Sequence, residues 1–298
     1  MSPFLRRSVP EHGTHLRKNV DVPTRIGSVT LPNPVMTASG TAGHADELRR
    51  YVDLADLGAV VVKSLLPEPW PGNDGVRVHA TDGGMVNRVG LQGPGIEAWL
   101  QDDLPHLHRL GARVVASIWG RTVEEYEKGA SMLAGSGVIA VEINLSCPNT
   151  HAGRALFAHD ARATEEVMDA TAACKRPRWA KLSPNTDRVV DIADAARRGG
   201  AEAVTLINTV FAMVDGMAGG LSGPAIHPVA VRVVADVHAA HPDLPIIGVG
   251  GVRDGKTAQD LLDVGAVAVQ VGTATFADPR AAGRVLADLR SGRDGGGR

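Results

Sequence analysis

Eight short β-branched runs, separated by stretches of helical length and composition, predict an α/β chain closed into a (β/α)8 TIM barrel with long insertions on its C-terminal, strand-to-helix face. Three observations carry this. Each run is almost continuously apolar, as strands covered on both faces of a parallel sheet must be. The runs alternate with Ala/Leu/Glu/Arg-rich segments such as TVEEYEKGASML (122–133) and PVAVRVVADVHAA (228–240). Eight such units fill about 250 residues, the usual length of this barrel. A doubly wound sheet is the alternative that the same alternation allows.

In order, the strands are PVMTAS (34–39), AVVVKS (59–64), RVVASIW (113–119), AVEINLS (140–146), RWAKLS (178–183), AVTLIN (203–208), PIIGVG (245–250) and AVAVQVG (266–272). Two departures break the rhythm. Residues 65–95 form a Pro/Gly-rich excursion after the second strand, and the glycine-dense VFAMVDGMAGGLSG (210–223) follows the sixth. Both are expected as loops on the face where barrel enzymes keep their chemistry. Residues 1–24 read as a loose polar extension, 25–291 as one barrel domain and 292–298 as a Gly/Arg tail.

Composition narrows the function classes. Of 298 residues, 44% are apolar, 21% charged and only 3% aromatic, which fits a full Ala/Val/Gly core better than an aromatic-anchored binding module. A net charge of −2 without a basic block argues against a nucleic-acid partner. No apolar run reaches the ~20 residues that span a bilayer, and the N-terminal stretch lacks the apolar core of a secretory signal. Two cysteines, Cys147 and Cys174, make neither a disulfide framework nor an iron–sulfur site, so a reducing cytoplasm is expected. The eleven histidines show no metal-binding spacing, and no metal is expected.

The strand ends carry the chemistry. Ser39–Gly40, Lys63–Ser64, Asn144 with Cys147, Lys181, Asn208–Thr209, Gly250–Gly251 and Gly272–Thr273 would all meet at one barrel mouth. A polar group buried there without a partner costs about 1–3 kcal/mol, so such convergence needs a reason. IIGVGGV and VQVGT set glycines after strands seven and eight, the usual phosphate site of these barrels. Glycines also serve tight turns, and an end-of-strand lysine can snorkel to solvent. Lys63 and Lys181 facing one mouth favour cations set against an anionic ring or phosphate. Lone cysteines are mostly inert; Cys147, before a proline and among polar groups, fits a thiol of lowered pKa acting as nucleophile or base. Cys174, at a helix end, reads as structural.

NPVMTASGTAG, GGMVNRVGLQ, NLSCPNT, INT, GGLSGPAI, GVGGV and VGTATFADP, in chain order and spanning about residues 26–290, resemble the dihydroorotate dehydrogenases. The class 1 (soluble) branch, and within it the NAD-linked type, is the most similar. The resemblance implies FMN across the mouth and oxidation of dihydroorotate to orotate. Ala38, Ser39, Gly40, Lys63, Ser64, Asn144, Lys181 and Ile207 would border the flavin. Ser222, Gly223, Gly250, Gly251, Gly272 and Thr273 would wrap its phosphate. Lys63, Asn87, Val89, Gly90, Leu91, Asn144, Asn149, Asn208 and Thr209 would hold the substrate ring. Cys147 matches the base, taking a ring proton while hydride passes to flavin N5. A homodimer and a separate iron–sulfur/FAD electron-transfer subunit are also implied, with no membrane partner.

Departures from the family pattern fall at Gly93, where asparagine is usual, at Arg88, and in a shortened 208–219 segment. They bear on the substrate and electron acceptor and leave the flavin site alone. A flavin enzyme acting on another dihydropyrimidine-like ring therefore stays open. So does a phosphate-binding barrel lyase or aldolase with Lys63 or Lys181 as a Schiff base.

Overall fold

The structure, a computed structural model, describes residues 23–146 and 157–292. Two short antiparallel strands come first, β1 (Thr24–Ile26) and β2 (Val29–Leu31). The barrel starts at β3 (Val35–Thr37) and β4 (Val60–Val61). Inside the long excursion lie β5 (Val78–Thr81) and β6 (Gly84–Asn87). Helix α1 (Ile96–Ala98) runs through a π-helical turn into α2 (Leu104–Arg109). From β7 (Val114–Ile118) the alternation is regular: α3 (Val123–Met132), β8 (Ala140–Asn144), α4 (Ala161–Ala170), β9 (Arg178–Lys181), α5 (Val189–Arg198) and β10 (Ala203–Leu206). Strands β11 (Val210–Val214) and β12 (Met217–Ser222) interrupt it. The chain then completes α6 (His227–Ala240), β13 (Ile246–Val249), α7 (Gly255–Asp263), β14 (Ala268–Val271), α8 (Ala274–Ala277) and α9 (Ala281–Ser291).

Eight strands pair in parallel in the order β3-β14-β13-β10-β9-β8-β7-β4, and a Met36–Ala59 bridge returns β4 to β3. Each strand's neighbour in the ring is thus the next barrel strand in the chain, the signature of a (β/α)8 barrel. All eight predicted runs contain their strand. Helix starts are fixed locally: Thr122 and Asp160 accept from the backbone N–H groups of Glu125 and Ala163. Asp254 forms a capping box with Thr257.

Strand alternation sorts the barrel interior into layers. Val115, Ala140, Trp179, Ala203, Ile247 and Ala268 pack with Ile26, Val29 and Leu31 of the β1–β2 hairpin, which closes the bottom. Two residues further along the same strands come Ser117, Glu142, Lys181, Thr205 and Gln270, all buried. The interior therefore changes from apolar to polar toward the mouth.

The two stretches expected as loops instead contribute paired strands, a correction to that expectation. β11, β12, β6 and β5 form a four-stranded antiparallel sheet in that order. Asp215 and Gly216, both at positive φ (48° and 76°), make the two-residue turn between β11 and β12. That is type I′ geometry, whose twist matches the flanking strands. Strand β1 begins at Thr24, the last residue of the expected extension.

Candidate functional site

The polar layer of the barrel is organised around one carboxylate. Glu142 is fully buried, and its Oε2 accepts from Gln270 Nε2 at 2.7 Å and Thr205 Oγ1 at 3.1 Å. Its Oε1 has no hydrogen-bond partner and faces Lys181 Nζ at 3.7 Å. A carboxylate buried this deeply needs an opposite charge, because transfer out of water costs several kcal/mol per ion. Lys181 supplies it and presents its ammonium to the space above. Glu142 was not among the residues expected at the site; the signal was a lone acid inside the apolar AVEIN run.

Above this layer opens a cavity of about 260 Å³. Ser39, Gly40, Lys63, Ser64, Asn144, Lys181, Asn208 and Thr209 line it from the strand ends, and Asn87, Val89, Gly90 and Leu91 from the long excursion. Sequence reasoning missed its apolar members, Val78, Met85 and Phe276. Val78 and Met85 belong to the mouth sheet, whose pairing the sequence reading had not found.

The amides are held in one network. Asn144 Nδ2 donates to Ser64 Oγ at 3.2 Å, and Ser64 Oγ lies 2.9 Å from Ser117 Oγ. Asn208 Nδ2 donates to Ser146 Oγ at 2.8 Å and to the Ser146 carbonyl at 3.1 Å. From the helix layer, Tyr126 donates its hydroxyl to the Asn144 carbonyl at 2.7 Å. Asn87 Nδ2 donates to the Gly220 carbonyl at 3.2 Å, tying β6 to β12. Trp70 Nε1 donates to the Gly90 carbonyl at 2.9 Å and so fixes the excursion where it meets the cavity. Side chains held this way present fixed donors and acceptors to a flat polar ligand.

A second, narrower cavity of about 70 Å³ adjoins the first and shares Ser39, Lys181, Asn208 and Thr209 with it. Ala38, Ile207, Gly223, Ile226, Val249, Gly250, Gly251, Gly272 and Thr273 complete it. Gly223, Gly250 and Gly251 leave no room for side chains. At Gly251 (φ 68°) a Cβ would lie 2.7 Å from His227 Cβ and 2.9 Å from the Gly223 carbonyl oxygen. Backbone approach of this kind suits a phosphate, which accepts from main-chain N–H groups. Ser222 lines neither cavity; its hydroxyl donates to the Met85 carbonyl within the mouth sheet. Cys147 and Asn149 lie outside the described residues. Cys174 is buried, and burial raises its thiol pKa, as a structural cysteine requires.

Gly93 has a partner for its missing side chain. A Cβ there would meet His44 Nε2 at 3.3 Å. Burial, with the Lys63 charge adding to it, lowers the His44 pKa to about 4, so the ring is neutral at physiological pH. Imidazole fills space that a larger residue at position 93 would contest.

A ring-sized, amide-lined cavity that shares its lining with a glycine-rich one is the arrangement expected of a barrel enzyme acting on a flat polar ligand. Among the described residues no group of acids, histidines or cysteines could hold a metal, and no helix is long and apolar enough to cross a membrane. The chain belongs to the dihydroorotate dehydrogenase family, whose description matches residues 22–292. It is 44% identical over 273 residues to the dihydroorotate dehydrogenase B (NAD(+)) catalytic subunit of Alkaliphilus metalliredigens, covering 88% of this chain and 90% of that one. The subunit of the same name from Desulforudis audaxviator is 46% identical over 276 residues (89% and 90%). That from Geobacter sulfurreducens is 42% identical over 281 residues (90% and 92%). Membership implies a flavin cofactor and sets aside the aldolase reading.

Proposed function

We infer that the chain oxidises dihydroorotate to orotate in pyrimidine biosynthesis, with FMN as its flavin and Cys147 as the base. The observation that carries this is the junction of the two cavities at Lys181, Ser39, Asn208 and Thr209, where an amide-lined space meets a glycine-rich one. The fit to FMN rests on Gly223, Gly250, Gly251 and Gly272 for the phosphate and on Lys63, Ser64, Asn144 and Lys181 for the ring. Asn87, Asn149, Asn208 and Thr209, with the backbone of Gly90 and Leu91, would read the amide edges and carboxylate of the substrate. When bound, FMN supplies the hydride acceptor at N5. Cys147 would take the proton from the substrate carbon next to the carbonyl, and the fixed amides would hold the ring for both transfers.

The relatives are named as catalytic subunits. This chain, with two cysteines, cannot provide the four thiolates of an iron–sulfur cluster, so re-oxidation by NAD would use a separate iron–sulfur/FAD subunit. A homodimer in the cytoplasm completes the reading.

The test is anaerobic addition of dihydroorotate to the FMN-loaded protein, followed by fumarate, NAD or quinone as acceptor. Bleaching of the flavin is expected in the wild type. Cys147→Ala should keep FMN and lose about 10²–10⁴-fold in bleaching rate, the usual worth of a positioned base. Wild-type rates in that variant would remove Cys147 from the mechanism. A second reading, action on a related dihydropyrimidine-like ring, is favoured by His44 beside Gly93. Bleaching by such a ring and not by dihydroorotate would select it.

A further inference from the structure

His227 opens α6, and its largely buried ring lies between two acceptors. Nδ1 is 2.8 Å from the Gly250 carbonyl oxygen, and Nε2 is 3.3 Å from Asp260 Oδ2. A neutral imidazole carries one N–H and can donate to only one of them, whereas an imidazolium donates to both. The same residue packs against the other glycine of the turn, since a Cβ on Gly251 would lie 2.7 Å from His227 Cβ. His227 therefore holds Gly250 by a hydrogen bond and Gly251 by contact, and both glycines line the narrow cavity.

Asp260, on α7, is held in turn by Lys256 Nζ at 3.1 Å. On the β13 side the ring meets the Gly250 carbonyl. The imidazole thus ties the start of α6 both to α7 and to the glycine turn after β13.

We propose that His227, braced by Asp260, positions the Gly250–Gly251 turn, so that the backbone there is set to receive the cofactor's phosphate. This rests on the flavin reading given above and deepens it. His227 acts here as a positioning residue: it shapes the cradle and is not assigned contact with the reacting atoms.

The experiment compares FMN with riboflavin, which has the same ring and no phosphate. Apoprotein is titrated with each by flavin fluorescence. Wild type, His227→Gln and Asp260→Asn are measured. His227→Gln should weaken FMN by about tenfold, the worth of a hydrogen bond that holds the turn. Riboflavin affinity should stay within about twofold, the loss being confined to the phosphate contact. Asp260→Asn should show the same pattern more weakly. FMN affinity equal to wild type in His227→Gln would overturn the inference alone. So would equal losses for both flavins, which would mark a merely structural role. A wild type that binds neither flavin would overturn the cofactor reading and this inference with it.

Discussion

The wide end of the site is made of side chains and the narrow end of backbone, and this difference in material sets what each end tolerates. At the wide end Asn144, Asn208, Ser64 and Ser146 hold one another, and Glu142 holds Lys181 from below. Losing one member strands its partners in a buried place. At the narrow end Gly223, Gly250 and Gly251 meet their neighbours with no space for a Cβ, so the damaging change is an addition. The comparison suggests that ring recognition is a matter of charge and hydrogen-bond completeness, whereas phosphate recognition is a matter of room.

The largest effect is expected beneath the wide end. Glu142→Ala removes the acceptor of Gln270 and Thr205 and leaves the Lys181 ammonium without its buried counter-charge. Breaking such a pair costs about 3–5 kcal/mol, a fall of roughly 10 °C in Tm for a domain of this size. The double variant Glu142→Ala/Lys181→Met removes both charges and should recover part of that loss, because replacing a whole buried pair is far cheaper than halving it. Thermal unfolding of the three proteins checks this. A double variant no more stable than the single one would break the claim that the two charges hold each other.

At the narrow end, Gly251→Ala adds one carbon to a residue at φ 68°, 2.7 Å from His227 Cβ and 2.9 Å from the Gly223 carbonyl oxygen. The strain amounts to about 1–3 kcal/mol, less than the Glu142 loss. It falls on the phosphate cradle, so FMN affinity should drop about tenfold or more while the barrel stays folded. Flavin retained per protein after gel filtration reads this directly. Full retention would mean that the turn has slack and that room is not what the glycines provide.

The sequence made these two ends unequally legible. The narrow end is written in local signals: glycines after the last two strands can only mean turns or close approach, and strand order says where they meet. Polar residues at strand ends were equally visible, and twelve of the residues expected around the flavin or the substrate line the wide cavity. What stayed hidden depends on partners far away in the chain. Glu142 matters because Gln270, Thr205 and Lys181 come from three other strands. The mouth sheet pairs β6 with β12, residues some 130 positions apart, although the D-G pair at Asp215–Gly216 was a local hairpin signal that the glycine density masked. Gly93 is a mere deviation in the sequence, and only the fold brings His44 against it.

His44 offers the finest test, because its charge state bears on the wide end alone. Burial, then the Lys63 charge, hold the His44 pKa at about 4 against an ordinary 6.5. In the intermediate range the unfolded chain binds a proton that the fold refuses. Neutral His44 therefore contributes its full stability above about pH 6.5, and that contribution drains away as the pH falls toward 4. The ring is partly exposed, so solvent screening trims the effect to about 1–2 kcal/mol. His44→Phe should flatten the acid limb of stability by that amount, read by urea unfolding at several pH values. An acid limb unchanged in His44→Phe would show that the buried imidazole takes up its proton without disturbing the wide end, and would remove charge from what distinguishes the two halves of the site.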